Sequence, residues 1–523
     1  MGATRPARMA AMRITFLGHA GCFVQTRHGS VLCDPWFTPA YFGSWFPFPR
    51  NDGLAPAPIG APDYLYISHL HRDHFDPEWL ARNVNKRARV LLPEFGIDLL
   101  ARELQSLGFR DLVRTKHGER LDLDGLGVTI LAMTTPADGP LGDSAIILDD
   151  GTARLLNQND ARPGDLDALH ALGPFDAQLL QFSGAIWYPV AYDFPAAEKD
   201  RLARAKRIDE MERAQRYVEA VDAAHVFPCA GPPCFLDRDL AFLNDLDRDP
   251  ANIFPDQPVF LEQLAAHGVD RAHLVVPGST IDLDAGACTI THPDTAELTR
   301  PFEHKREYLE EYARDWAGWL EAERATWARP GHDIVAELAA WFEPLLEAAP
   351  ITSAGIAGNV VIDVGDPDAD VCIDFVESTV RPWRGEPCVY KLEVERALVE
   401  SLLDDHVEDW VNSLLLSCRF TAHRDGPFNE FVLTFFKALS PERMAYVEQC
   451  LGSVRRRTDE FFERDGWRIE RWCPHRQADL TRFGEVEAGV LTCSLHHWRF
   501  DLETGRCLTS DDRHLRSERV TPD

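Results

Sequence analysis

The sequence predicts a multidomain α/β protein with four successive parts. These are an α/β unit over residues 12–245, a largely helical extension over 246–350, an α+β module over 351–440 and an all-β module over 441–523. Three observations predict it. A short β-rich run, Tyr64–Ile67, leads straight into a histidine-rich turn; charged segments with Trp at three- and four-residue spacing lie between about residues 295 and 350; and two Cys/His couples sit among strand-like runs near the C-terminus.

In the first part, the run Tyr64–Ile67 is followed by Ser68-His69-Leu70-His71-Arg72-Asp73-His74. An H-x-H-x-D-H pattern at a strand end puts two imidazoles on one side of a turn and an Asp-His pair on the other, which suits two adjacent metals. Ligands at this density cost stability unless a cation neutralises them. The segment resembles the signature of the metallo-β-lactamase fold. Ile14–Ala20 and Val31–Trp36 are similar to the opening strands of its lactonase-like branch. The resemblance implies an αββα sandwich and a bridging carboxylate at the end of a later strand, where Leu155–Asn159 leads to Asp160. It also implies two further histidines. Between His74 and Asp160 the only histidine is His117, and the expected stretch, Thr135–Asp143, offers carboxylates instead, with Asp138 ahead of Asp143. Ala230 falls about where the other is due, and neighbouring His225 and Cys229 read as structural. The expected metal set is therefore His69, His71, Asp73, His74, Asp160 and Asp138, with Asp73 and Asp160 also catalytic. His19 and Asp34 are expected to support the ligands or to be ordinary buried hydrogen-bonders. So carboxylate-rich a set favours iron with open positions, with zinc as the alternative.

The middle parts follow from periodicity. Phe302–Tyr312 and Ala313–Arg329 read as helices whose Trp316, Trp319 and Leu320 form a packing stripe. Strands are expected at Val360–Ile362, Val371–Phe375 and Val389–Leu392, a helix over Glu393–Leu403, an apolar stretch over Trp410–Phe420 and a strand over Glu430–Phe436. This module loosely resembles sterol-carrier-type accessory domains and is expected to act as a scaffold or substrate cap. Ser440 is the expected N-cap of the helix leading into the last module. With no low-complexity linker, the modules should pack together.

The last part carries Cys473-Pro-His475 and Cys493-Ser-Leu-His496. Two thiolates for one iron and two imidazoles for the other are what a Rieske [2Fe-2S] centre needs. A zinc knuckle uses the same residue types, but zinc sites usually space both pairs by two or more residues. Trp498–Asp501 with Thr504-Gly505 resembles the strand and turn that follow the second pair in Rieske oxygenases and ferredoxins. Arg476 and Gln477 follow the first His without a cysteine for a further disulfide, which points to the oxygenase-like class; His497 stands where oxygenases usually carry Gly.

The cluster's electrons need an acceptor upstream, because only 27 residues follow His496, and zinc has no redox chemistry to be driven. The pairing of modules resembles the cytidine monophosphate-N-acetylneuraminate hydroxylases and their bacterial relatives, although the Rieske module comes first in the vertebrate enzyme and last here. Asp34–Phe37, Ser44–Pro47, Asn157–Asp160, Gln181–Ala185 and Cys229–Pro232 carry the likeness. It implies an oxygenase: a Rieske cluster feeding one or two non-haem irons, with O2 as co-substrate, to hydroxylate or N-oxygenate a small polar metabolite. The aromatic residues Trp36, Phe37, Trp45, Phe46, Trp187 and Tyr188 are candidates to line its pocket. No G-x-G-x-x-G follows a strand, so an external ferredoxin, flavodoxin or cytochrome with its reductase is expected as donor. A homo-oligomer is expected if the cluster lies far from its own iron. Rival readings are a zinc-dependent hydrolase or lactonase with a regulatory cluster, and a non-catalytic redox sensor or electron carrier.

Composition narrows the partners. A net charge of −30, from 84 acidic against 54 basic residues, argues against nucleic acid and anionic membranes. No run of eighteen apolar residues occurs, and the N-terminus lacks the apolar core of a signal peptide, so a cytoplasmic location is expected. The 12 cysteines are scattered, and apart from Cys473 and Cys493 they read as buried small hydrophobes.

Overall fold

A computed structural model describes residues 12–134, 141–184, 186–284, 286–328, 331–452, 459–475, 477–510 and 513–520. The chain opens with an antiparallel meander of β1 (Met12–Gly18), β2 (Gly21–Thr26) and β3 (Gly29–Cys33). It then adds β4 (Tyr64–Tyr66), β5 (Arg89–Leu92) and β6 (Leu112–Arg114) in parallel, by crossovers. The apolar runs of β4 and β5 are covered on both faces, as parallel strands require. A second sheet has the order β12-β11-β10-β9-β8-β7, from β7 (Arg120–Leu123), β8 (Leu126–Met133), β9 (Asp143–Asp149), β10 (Arg154–Asn159), β11 (Ala177–Gln181) and β12 (His225–Cys229).

The two sheets bury Ile14, Val24, Val31, Tyr66, Val128, Ile146 and Leu155 between them. Helices Pro77–Asn83 and Leu99–Ser106 cover the outer face of the first sheet, and Leu166–Ala171 and Ala196–Val221 that of the second. This is the expected αββα sandwich. The first sheet also takes in β13 (Thr280–Asp284) and β14 (Ala287–Thr291), with β13 antiparallel to β1. The sandwich thus runs past residue 245 into the segment read as a helical extension, because only a distant partner turns these polar-alternating runs into strands.

Helices Lys305–Trp327 and Ile334–Ala348 follow. Trp316 and Trp319 pack their rings against Phe46 at 5.5 and 6.0 Å, as the stripe predicts. A third sheet, in the order β17-β16-β15-β18-β19, uses β15 (Asn359–Asp363), β16 (Val371–Asp374), β17 (Thr379–Pro382), β18 (Tyr390–Val394) and β19 (Phe420–Arg424). The helix expected from Glu393 begins at Arg396, after β18. Glu430–Phe436 is a helix, not a strand. Asn429 caps it by accepting the Phe431 N–H at 3.0 Å, and Phe431, Val432, Phe435 and Phe436 make one buried face, so the cap and the core outweigh the β propensity of the run. Helix Pro441–Gly452 leads towards the last module.

That module has two antiparallel three-stranded sheets. One holds β20 (Phe461–Arg464), β21 (Trp467–Glu470) and β25 (Ser517–Arg519), the other β22 (Gly484–Glu487), β23 (Val490–Cys493) and β24 (Trp498–Asp501). Its apolar residues Phe483, Leu495 and Trp498 share one core with Leu156, Leu166, Met211 and Tyr217 of the sandwich. A different core joins Trp36, Tyr41 and Trp45 of the sandwich to Phe342, Trp410 and Phe436 of the α+β module. Trp36, Trp45, Phe46 and Trp187 are all buried in the interior.

Candidate metal centre and iron–sulfur pocket

The turn after β4 carries His69, His71, Asp73 and His74, and Asp160 follows β10 on the opposing sheet. The two strands end at the same edge of the sandwich. His69, His74 and Asp160 come close enough to share an ion, and so do His19, Asp73 and His74. His74 Nε2 lies 3.4 Å from Asp160 Oδ2 and 3.6 Å from Asp73 Oδ2. The His71 ring lies 4.3 Å from the His69 ring, centroid to centroid. Every expected ligand is thus brought together except Asp138, which lies outside the described residues.

The support around the ligands is dense. Asp34, fully buried, accepts from the Ser68 N–H and hydroxyl at 2.7 Å each, and its Oδ2 lies 3.0 Å from His74 Nδ1. Held there, His74 presents Nε2 to the carboxylates, the arrangement typical of metal-bound histidine. Tyr41 donates its hydroxyl to Asp73 Oδ1 at 2.6 Å, and His19 Nε2 lies 2.9 Å from Asp73 Oδ2. Asp143, at the start of β9, sits 3.3 Å from His69 Nδ1. It is the described carboxylate in the region where an imidazole is missing. His117 is elsewhere, bonded to the backbone of Ala132, and His225 pairs with His273.

The electrostatics suit cations. Burial, then the neighbouring His69, pushes His71 down to about 3, so it is a neutral donor at pH 7. Burial works to raise Asp73, but His74 and His19 outweigh it and hold the carboxyl well below its usual range. Asp160 is likewise brought down to about 2, burial being outweighed by His74. Among the described residues, His74 Nε2 and Asp160 Oδ1 are buried without a hydrogen-bond partner. Buried polar atoms are rarely left so, and a metal would satisfy both. The residues present fit a metal centre.

The second pocket forms where two loops of the last module meet. The first closes by Cys473 N–H to Ala478 O and Gln477 N–H to Cys473 O, each at 2.9 Å; the second by His497 N–H to Cys493 O at 2.7 Å. Cys473, Cys493 and His475 are buried, and the His475 and His496 rings stand perpendicular, 5.0 Å apart. Contact with the Cys473 thiol holds the Cys493 thiol below its ordinary range against burial, helped by the Leu495 and His496 amides. The His475 ring stacks on Trp498 at 3.9 Å, and its Nε2 lies 3.2 Å from Glu430 Oε1, a group of the α+β module. His497, where glycine is usual, has φ 58°, the left-handed region that glycine adopts freely. Two sulfurs and two imidazoles from paired loops fit the cluster of the Rieske type.

The two pockets are joined by Asp160–Gly164. Pro163 O accepts the Tyr217 hydroxyl at 2.8 Å, and Gly164 O accepts the Asp479 N–H at 2.9 Å, beside the Cys473 loop. Arg482 pairs with Asp167 next to it.

Comparisons with known proteins agree with this layout. Residues 13–129 match the family described as beta-lactamase superfamily domain, 334–452 the Rv3818-like, SCP2-like domain, and 462–516 the Rieske [2Fe-2S] domain. A Rieske 2Fe-2S iron-sulfur protein of Mycolicibacterium smegmatis is 46% identical over 522 residues, spanning 97% of this chain and 100% of that protein. Its namesake in Mycobacterium tuberculosis is 46% identical over 518 residues with the same coverage. Among solved structures, CmlA, a diiron beta-hydroxylase from Streptomyces venezuelae, is 21% identical, with 53% of this chain and 55% of that chain covered and a TM-score of 0.36. Tyr41 and Glu430 went unmarked in the sequence as parts of these sites, and nothing local marks either; Asp143, placed behind Asp138 as a candidate, is the carboxylate found beside His69.

Proposed function

We propose, for a chain that belongs to the family of its mycobacterial Rieske 2Fe-2S iron-sulfur relatives, a Rieske-linked oxygenase activity on a small polar metabolite, by hydroxylation or N-oxygenation. The observation that carries this reading is the Asp160–Gly164 segment, which has a metal-site carboxylate at one end and touches the Cys473 loop at the other. Four Cα–Cα steps of about 3.8 Å keep Asp160 and Gly164 within about 15 Å. This closeness supports a route between the two pockets inside one chain.

When bound, the [2Fe-2S] cluster supplies single electrons and the upstream iron, taken here as dinuclear, supplies the activation of dioxygen. The protein's part is to hold and orient. Asp34 and Ser68 fix the His74 ring, and Tyr41 ties one oxygen of Asp73 so that the other faces the site. His71 stays neutral, as a ligand must. Glu430 holds the His475 ring from the α+β module, coupling the seat of the cluster to the neighbouring domain. A ferredoxin, flavodoxin or cytochrome with its reductase would be the electron source.

Metal analysis with electron paramagnetic resonance on anaerobically purified protein tests the reading. Iron upstream, in addition to the two cluster irons and their labile sulfide, supports it, whereas zinc upstream would favour a hydrolase and sink the oxygenase. Cys473→Ala should abolish reductant-dependent turnover while the upstream metal remains. Activity that survives that change would refute the relay.

A further inference from the structure

We infer that His19 is a direct metal ligand, completing one of the two upstream metal positions with Asp73 and His74. The inference rests on reading this cluster as dinuclear. Its basis is a set of closely spaced donor atoms. His19 Nε2 is 2.9 Å from Asp73 Oδ2, which is 3.6 Å from His74 Nε2, which is 3.4 Å from Asp160 Oδ2. Metal–ligand bonds of about 2.1 Å put neighbouring donors about 3.0 Å apart at octahedral angles and about 3.4 Å at tetrahedral ones. The first two separations, within the group of His19, Asp73 and His74 that lies close enough to share an ion, have the size of the edges of one coordination polyhedron, and Asp160 falls to the neighbouring position with His69.

The surroundings favour a cation over a simple hydrogen bond. Asp73 Oδ1 is taken by the Tyr41 hydroxyl, so Oδ2 is the oxygen facing both imidazoles. His74 Nε2 has no hydrogen-bond partner among the described residues. Asp34, Asp73, Asp143 and Asp160 crowd the same few residues, and that much negative charge is costly in a buried site without a cation. The backbone is committed as well. His19 sits in the tight turn between β1 and β2 at φ 50°, a left-handed conformation unfavourable to a residue other than glycine. Its carbonyl accepts the N–H of Ala230 at 2.8 Å. Ala230 brings no donor to this corner, and the imidazole of His19 supplies one. Two imidazoles and one carboxylate suit divalent iron with positions left open.

The test counts iron in anaerobically purified full-length protein, with the cluster's paramagnetic signal as internal standard. His19→Ala and His19→Asn are compared with the parent; Asn keeps an N–H for Asp73 but is a poor ligand. The expected result is two upstream irons per cluster in the parent and one in both variants, a twofold loss with the cluster signal unchanged. Two irons retained in His19→Asn would overturn the inference and leave His19 as a hydrogen-bond donor that positions Asp73. One upstream metal or none in the parent would instead defeat the dinuclear reading beneath it, before any variant is compared. Should His19→Ala lose its cluster through misfolding, the Asn variant carries the comparison.

Discussion

Gly164 is the point at which the metal-bearing sandwich meets the cluster loop, and its replacement by Val tests that junction. A Cβ built on Gly164 would lie 3.0 Å from Gln477 O and 3.2 Å from Ala478 Cα, with φ outside the left-handed region, so the obstacle is purely steric. Alanine asks the loop to give by a few tenths of an ångström. Valine adds two more methyl groups in the same place, and overpacking of this kind costs about 1–3 kcal/mol. Displacing the loop also breaks the hydrogen bond from Asp479 N–H to Gly164 O, worth about 1 kcal/mol more. The sum, about 2–4 kcal/mol, moves a docking equilibrium by roughly 30- to 1,000-fold. Hydrogen exchange at the Asp479 amide should accelerate by that factor in Gly164→Val and little in Gly164→Ala. In stopped-flow, oxygen-driven re-oxidation of the reduced cluster should slow in the Val variant at unchanged metal content. Exchange and re-oxidation both at the parent rate would refute the junction as a route.

Asp34→Asn removes the anion that fixes His74, and upstream metal affinity should fall about 10- to 100-fold in chelator competition, as it does for such supporting partners elsewhere. Asp149 is brought down to about 2, burial being outweighed by Arg154, the Gly151 amide and Arg120. A depressed carboxylate stabilises above its unfolded pKa, so Asp149→Asn should cost about 2 kcal/mol in urea unfolding at pH 7, the difference closing as pH falls from about 4 to 2. Asp209 is the opposite case, raised to about 6 by burial and then by Glu210 and Glu212. Its charged form opposes folding, so stability is lost as pH rises from about 4 through 6. Asp209→Asn should raise the melting temperature at pH 7 and lose that advantage below pH 4.

Both sites were largely legible because each motif is local. A strand followed by H-x-H-x-D-H, and two Cys/His couples at fixed spacing, carry their geometry within a few residues, and the strand before Asp160 delivers it to the same edge. What was hidden depends on distant partners. Tyr41 reaches Asp73 only because its loop is wedged between the sandwich and the α+β module, and Glu430 meets His475 only once that segment is a helix. The short alternating runs that become β13 and β14 are strands through distant pairing, β13 with β1 and β14 with β13. The sequence leaves His19 between a supporting group and an ordinary buried hydrogen-bonder, because nothing in a single histidine after β1 reveals that its imidazole meets Asp73.

The junction at Gly164 also sets a timetable. Arg482 and Asp167, which clamp its flank, are 315 residues apart in the chain. At about 5–20 residues per second on the ribosome, the sandwich waits roughly 15–60 s for the module that will cover it. Throughout that interval Leu166, Met211 and Tyr217 lack the partners Phe483, Leu495 and Trp498 that later bury them. A nascent chain with this patch open is a natural client for chaperones, and cluster insertion, which needs the last couple of ligands, must wait for the same module.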